Sequence, residues 1–384
     1  MKNGQKGGAQ MTHIDELRES IDAIDDQLVE LLEKRMGIVR QVAEFKKHNS
    51  VNVKDRNREE EIINRIVGNL KDETFGDSMA ELMDAIFRIS RKMQRNITAS
   101  QKPSHQHDQT DKVGYQGVEG SYSEEALIAY FGEQNPRENY THFEDVFKAL
   151  DLGEIQYAVL PIENSSTGAI REVYDLMVKY GFYIAGEHHL KINHHLLGLK
   201  GTELNQIQEI YSHSQGIEQC SHFLDEHPKW ERIPYYNTAM SAKYVSEQGH
   251  IQLAAIGSKR AGAIYGLELL KENIHDNMTN TTRFVILSRT METTEQANKI
   301  SLVFTTPHKA GALYESLSKF ADEHVNMMKI ESRPIKDKPW EYFFFIDIEG
   351  RLEDLQVAQA LEKIQKESRY FKVLGNYEKR IGAD

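Results

Sequence analysis

The chain has 384 residues, enough for two or three domains with ordinary cores, and a formal charge of -12 from 47 Lys and Arg against 59 Asp and Glu. That balance argues against a nucleic-acid-binding surface, and no apolar run is long enough to span a bilayer. One cysteine, Cys220, rules out an intrachain disulfide framework and fits a reducing cytoplasm, while the polar, Gly-rich start from Met1 to Gln10 reads as a disordered extension or a cloning scar, not a signal peptide.

The first predicted element is a long amphipathic helix from Ile14 to Lys46. Its apolar stripe, Ile14, Leu17, Ile21, Ile24, Leu28, Leu31, Leu32, Met36, Val39, Val42 and Phe45, advances in steps of three and four, which fits a helix and no strand. The spacing is that of a coiled coil, so self-association is expected. Arg35 and Lys46 are eleven residues apart and fall within roughly 20° of one another around the axis, on one face. Arg18 points elsewhere, as suits a residue serving a second site. A second helix runs from about Arg56 to Asn69, with Asp55 as its N-cap and Arg58 and Glu59 in its first turns. A third spans about Ser78 to Ile97, where Leu82, Ile86, Ile89 and Met93 form a core face and Ser90 and Gln94 sit one turn apart beside it.

These residues, Leu17-Arg18, Glu33-Lys34-Arg35, Lys46, Asp55-x-x-Arg58-Glu59 and Ser90-x-x-x-Gln94, resemble the all-helical class of chorismate mutases in order and spacing. The resemblance implies an all-α domain over residues 11–100, with Arg18 from a partner chain, Arg35, Lys46, Asp55, Arg58, Glu59, Ser90 and Gln94 lining the pocket. Chorismate carries two carboxylates and an enolpyruvyl ether that rearranges unimolecularly, so no acid, base, metal or cofactor is needed. Guanidinium forks clamp carboxylates, and Lys46 and Gln94 would donate to the ether oxygen as charge grows there.

Residues 98–112 have no apolar periodicity and read as a linker, with His105 and His107 on a solvated tether. Beyond it, short apolar strands alternate with helices, and a hydroxyl, amide or glycine stands at each junction, as in Gly117-Val118-Glu119-Gly120-Ser121, Ser212-His213-Ser214 and Asn237-Thr238. This is α/β architecture whose helix N-termini gather at the carboxyl ends of the strands, where small anions bind. No G-x-G-x-x-G or P-loop pattern supports a nucleotide. For any one junction, helix capping is the plainer reading.

The text of these junctions, Gly120-Ser121-Tyr122-Ser123, Pro161-Ile162-Glu163-Asn164-Ser165, Tyr211-Ser212-His213 with Gln219-Cys220, and Asn280-Thr281-Thr282-Arg283-Phe284, resembles the prephenate dehydratase family over residues 113–291. The resemblance implies two α/β lobes with a cleft between them, similar to type II periplasmic binding proteins. It gives Thr282 the leaving-group role, with Arg283 holding substrate charge and Asn164 and Gln219 orienting the ring. Ser121, Glu163, Ser165, Thr167, Ser212 and His213 are further candidates. Either Thr282 or a Glu163 raised by burial would donate the proton. His188, His189, His194 and His195 lack the accompanying carboxylates of a metal site, and Cys220 reads as a small packed residue.

After a polar stretch from Glu292 to Lys299, residues 299–378 give the order β-α-β-β-α-β, a ferredoxin-like α+β unit. Gly311-Ala312-Leu313-Tyr314 and Glu331-Ser332-Arg333-Pro334 resemble the ACT domain that follows dehydratase domains. There Gly311, Ala312, Leu313, Glu331, Ser332, Arg333 and Pro334 would form an amino-acid pocket at a domain interface, with phenylalanine as feedback ligand. The whole chain thus resembles the bifunctional mutase–dehydratase family. That implies a cytoplasmic homodimer or larger assembly acting on chorismate and prephenate, with no nucleic-acid or membrane partner. A solute-binding module that senses an amino acid without catalysis is the rival from another class.

Overall fold

The computed structural model describes residues 6–49, 56–98, 102–103, 110–336 and 338–380, which fall into two compact units, residues 1–99 and 100–384. Among the described residues no helix is long and apolar enough to cross a membrane.

The first unit is all helical: α1 (Lys6–Asn49), α2 (Arg56–Val67) and α3 (Gly76–Thr98), the last preceded by a 3-10 turn at Glu73–Phe75 whose N-cap, Asp72, accepts from the amide of Thr74. The start of α1 corrects the expectation for Met1 to Gln10, since Lys6 to Gln10 continue the helix. Propagation adds one hydrogen bond per residue once a helix exists, which offsets the cost of two glycines. A second correction concerns α3, whose buried residues are Phe87, Ser90, Arg91 and Arg95, while Leu82 and Ile89 lie in solvent. The α1 stripe is exposed as well: Leu17, Ile21, Ile24, Leu28 and Leu31 are all more than half open. In the single chain Ser90, Arg91 and Arg95 lie inward beside Phe87 and Ala43, while most of the α1 stripe lies outward.

The second unit opens with a two-residue strand, β1 (Lys102–Pro103), and then builds a first lobe from β2 (Val113–Gln116), α4 (Tyr122–Phe131), β3 (Arg137–Tyr140), α5 (Phe143–Leu152), β4 (Tyr157–Asn164), β5 (Gly168–Ala169), α6 (Arg171–Tyr180) and β6 (Tyr183–Lys191). The chain crosses at residues 192–194 into a second lobe of β7 (His195–Gly198), β8 (Glu209–Ser212), α7 (Ser214–Glu218), α8 (Ser221–Asp225), β9 (Glu231–Pro234), α9 (Thr238–Gln248), β10 (Leu253–Gly257), α10 (Lys259–Ile264) and β11 (Glu268–Lys271). It returns through residues 272–280 to β12 (Thr281–Ser288), which inserts between β4 and β6 of the first sheet. The sheet orders are β3-β2-β4-β12-β6, with β5 beside β4, and β11-β7-β10-β8-β9. Two crossings and two sheets give the two-lobed architecture expected.

The lobes touch where Gly120 (φ 84) sits against the backbone of Ala261, so closely that a Cβ there would lie 3.0 Å from its Cα. Both the positive φ and the close approach require glycine. Beside it, the buried Glu124 of α4 receives Arg137 at 2.8 Å and Arg260 of α10 at 3.3 Å, tying the two lobes by charge.

A short β13 (Glu292–Thr293) pairs with β1, drawing two residues of the expected linker into structure. Then β14 (Lys299–Thr305), α11 (Ala312–Asp322), β15 (Met327–Pro334), β16 (Tyr342–Glu349), α12 (Leu355–Glu367) and β17 (Phe371–Tyr377) form an antiparallel sheet in the order β15-β16-β14-β17, the ferredoxin-like arrangement. One face of this sheet (Ile300, Leu302, Phe304, Ile346, Ile348) packs on α11 and α12. The other (Val303, Phe345, Leu374, Tyr377) shares a core with Ile162, Tyr174, Met177 and Ile184 of the first lobe. Strand alternation thus leaves the second sheet face as a seam against the lobe.

Candidate active sites

In the helical unit, the Arg35 guanidinium donates to Ser90 Oγ at 2.6 Å and lies 5.5 Å from the centre of the Phe87 ring. Ser90 is fixed by donating to the carbonyl of Ile86 at 2.7 Å. Burial lowers the Arg35 pKa against the opposing pull of Glu59. Glu59 is 2.5 Å from Arg91, a buried cation that the sequence reading did not single out. Its only signal was adjacency to Ser90. Arg35, Glu59 and Ser90 are therefore brought together. Gln94 follows one turn along α3 and is half-buried, as is Lys46, while Arg58 is exposed at the start of α2. Arg18 is exposed beside Asp15 at 3.6 Å, and seventeen residues place it about 25 Å along α1 from Arg35. Asp55 lies outside the described residues.

Between the lobes of the second unit is a cleft of about 490 Å³, lined among others by Ser121, Tyr122, Asn164, Thr167, His194, His213, Gln219, Asn237 and Thr282. Three junctions cap helices, Ser121 and Asn237 as their residue types predict and His213 through its ring. Ser121 accepts from the amide of Glu124, Asn237 from Met240 and His213, through its ring, from Gln215. The first turns of α4 and α9 border the cleft, and their leading N–H groups have no intrahelical partner.

At its centre Asn164 and Thr282 are cross-strand partners. The Asn164 amide donates to Thr282 Oγ1 at 2.9 Å and to Asn280 Oδ1 at 2.7 Å, while its oxygen accepts from the amides of Ser166 and Thr167. Asn280 donates to Gln219 Oε1 at 3.1 Å, and His194 Nε2 meets the same oxygen at 2.9 Å. Tyr122 stands 3.1 Å from His194 Nδ1 and donates to the carbonyl of Asn193 at 2.7 Å. Burial pushes the His194 imidazole down to about 4, so at neutral pH it is uncharged and donates through Nε2 to Gln219. The network occupies acceptors and leaves donors for the cleft, namely the Thr282 hydroxyl and the Gln219 amide. No Lys or Arg is among the described residues lining it.

His194, Tyr122 and Asn280 carry no role in the sequence reading. His194 is hidden there by its histidine neighbours, which the structure separates: His188 and His189 stand on β6, His194 in the crossing, and His195 at the start of β7, accepting from the amide of Asn273. Cys220 is buried between α7 and α8.

Four dehydratase candidates lie elsewhere. Arg283, one residue past Thr282, faces the opposite side of the sheet, where Glu187, Asp347 and Tyr377 hold it at 2.7, 2.6 and 2.9 Å, so it does not hold substrate charge. Glu163 is corrected in the same way, since its carboxylate is paired at 2.5 Å with Lys329 of β15 and is not an acid of the cleft. Ser165 is exposed and accepts from the amide of Thr281. Ser212 is buried and donates to the carbonyl of Ile256.

In the C-terminal domain a cavity of about 220 Å³ is lined by Thr306 to Lys309, Gly311 to Tyr314, Trp340 to Tyr342 and Phe344. Gly311, Ala312 and Leu313 are thus in its wall. Glu331, Ser332, Arg333 and Pro334 lie instead along β15 at the sheet edge, where Arg333 makes a bidentate pair with Asp175 of α6 at 2.7 and 3.0 Å. Within one chain the two segments do not share this cavity, and the second is strand, not the turn that Pro334 allows.

A helical unit with a guanidinium cluster, a two-lobed cleft of hydrogen-bond donors and an appended ACT-type sheet define an enzyme of small anionic substrates with a regulatory module. Comparison with known proteins narrows the class. Residues 17–95 match Chorismate mutase type II, 113–292 match Prephenate dehydratase and 300–365 match ACT domain. The bifunctional chorismate mutase/prephenate dehydratase of Buchnera aphidicola (subsp. Acyrthosiphon pisum, strain APS) is 33% identical over 371 residues, covering 94% of this chain and 95% of its own. Among solved structures, the prephenate dehydratase of Arthrobacter aurescens in complex with L-Phe is 32% identical with a TM-score of 0.65, covering 70% of this chain and 90% of its own. The quorum-quenching acylase GqqA is 29% identical with the same TM-score, covering 70% and 98%. The chain belongs to the family of bifunctional chorismate mutase/prephenate dehydratases.

Proposed function

We propose that this enzyme rearranges chorismate to prephenate in its helical unit, converts prephenate to phenylpyruvate in the cleft, and is inhibited by L-phenylalanine bound at the ACT domain. The observation that carries the reading is the chain Asn280–Asn164–Thr282 with Gln219, which aims donors at the cleft from a site bordered by two helix N-termini.

In the mutase, Arg35, Arg58 and Arg18 of a second copy clamp the two carboxylates, and Lys46 and Gln94 follow the ether oxygen as charge develops. Asp55, Glu59 and Ser90 complete the pocket, Ser90 through its bond from Arg35 and Glu59 through its charge acting on Arg35. The exposed stripe of α1 supports the second copy. Each half-open Leu or Ile buried there stabilises association by about 1 kcal/mol, which supports a homodimer or larger assembly as the working form. In the dehydratase, Ser121, His213 and Thr167 at the cleft wall and the amides of α4 and α9 receive the carboxylates. Gln219 orients the ring, and Thr282 donates to the departing hydroxyl while Asn164 supports its oxygen. Loss of carbon dioxide and hydroxide makes the ring aromatic, so positioning carries most of the catalysis.

Phenylalanine fits the aromatic-walled cavity beside Gly311 to Leu313. Glu331 to Pro334 complete an interface pocket from a neighbouring copy. The test is Thr282→Ala against Thr282→Ser, following phenylpyruvate formation from prephenate. Alanine should lower turnover by about 10²–10⁴, and serine should recover most of it. Equal rates for wild type and alanine would end the assignment.

A further inference from the structure

Two charged cross-strand pairs face one another across the seam between the dehydratase sheet and the ACT sheet. On the dehydratase side Glu163 of β4 is paired in register with Arg283 of β12, and the next pair along is Asn164 with Thr282. On the ACT side Lys329 of β15 is in register with Asp347 of β16. Lys329 meets Glu163 at 2.5 Å and Arg283 meets Asp347 at 2.6 Å, so the four form an interlocked quartet. Behind it Lys299 holds Glu187 at 2.7 Å, and Ser301 donates to Asp347 at 2.5 Å. The Arg283 and Asp347 side chains are under a tenth exposed. Separating the buried pair of Arg283 and Asp347 leaves an uncompensated charge at high cost, so the quartet favours moving as a unit over sliding apart.

The position of the quartet is the informative point. Each dehydratase member is the backbone neighbour of a cleft residue, Glu163 of Asn164 and Arg283 of Thr282. Each ACT member lies on a strand that also carries ligand-site segments. β16 bears Tyr342 and Phe344 of the cavity wall, and β15 bears Glu331 to Pro334.

We propose that Lys329 and Asp347 are positioning residues of the dehydratase, gripping Glu163 and Arg283 so that the state of the ACT strands sets the register of the Asn164–Thr282 pair. Ligand binding shifts β15 and β16, the quartet carries that shift to β4 and β12, and the Thr282 hydroxyl leaves its working position. The inference rests on the phenylalanine reading above. A ligand shifts an equilibrium only through differential affinity, and the coupling is reciprocal.

The experiment uses full-length Lys329→Met, which removes the charge without leaving a buried cation isolated, and, from the other side of the seam, Glu163→Gln, which keeps the shape of the carboxylate and leaves Lys329 over the ring of Tyr174. Calorimetry gives L-phenylalanine affinity, and phenylpyruvate formation at saturating L-phenylalanine gives residual activity. Both variants should bind phenylalanine within about threefold of wild type yet retain at least about five times more dehydratase activity under it, the low end of ordinary allosteric coupling. Retained binding with undiminished inhibition in both overturns the proposal. So does loss of binding in both, which would make these residues part of the ligand site. A wild-type protein that neither binds phenylalanine nor is inhibited by it overturns the underlying reading instead.

Discussion

Asn164 uses both amide hydrogens and its oxygen within the protein, and the same saturation at Gln219 Oε1 fixes which way that amide points. The weak link is His194, because only a ring with hydrogen on Nε2 can donate to Gln219. His194→Phe removes the donor and frees Gln219 to rotate, whereas His194→Gln returns an N–H near the same place. For phenylalanine at this position we expect prephenate KM to rise with a smaller change in kcat, since Gln219 orients substrate, and glutamine should restore much of it. Equal KM values in all three proteins would remove His194 from this role. The folded pKa of about 4 lies below the ordinary 6.5, so the unfolded chain binds the proton first as pH falls. This histidine therefore withdraws stability as pH drops from about 6.5 towards 4, by roughly 3 kcal/mol, and chemical denaturation of His194→Gln should show a flatter pH dependence across that window. The place of Thr282, Asn164 and Gln219 in the cleft wall was legible because their surrounding text is recognisable, the first two at strand ends and Gln219 at the end of α7. Arg283 and Glu163 were misread because a strand turns successive side chains to opposite faces, and nothing in the local text says that a second domain packs on the far one.

At the scale of elements, the period of the apolar residues gave the helices of the first unit and the strand–helix alternation of the second with ends within a few residues, except at the start of α1. Which face of a helix is covered did not follow from the period. The Leu82–Ile89 line of α3 reads as core, yet Phe87, Ser90, Arg91 and Arg95 are the buried residues, and no described residue of the chain supplies a covering surface for that apolar line. Mixing tests whether a second copy supplies it. Arg18→Ala and Arg35→Ala chains should each have little mutase activity. Unfolded and refolded together in equal amounts, they should recover about one quarter of the wild-type rate, since half of random dimers are mixed and each mixed dimer holds one intact site. A mixture no faster than the sum of its parents would mean that Arg18 does not act across an interface.

Over the whole molecule, the net charge of -12 sets a long-range field that repels dianionic substrates, and the two sites meet it differently. The mutase cluster carries its own cations, with Arg35 and Arg91 facing Ser90 and Glu59. The dehydratase cleft has none in its described wall, and relies on helix N-termini and neutral donors whose pull fades within a turn. Raising ionic strength from about 0.01 to 0.15 M shortens the screening length from about 30 to 8 Å, which removes the repulsion at distance while leaving contacts in the cleft nearly unchanged. Prephenate kcat/KM should therefore hold or rise with salt, whereas chorismate kcat/KM should fall as local cations are screened. Both are read on one protein in one salt series, so a change in folding or assembly would move them together. A parallel fall of the two, with circular dichroism and sedimentation unchanged across the series, would show that a cation outside the described wall reaches the dehydratase substrate, and the donor-only account of the cleft would have to be abandoned.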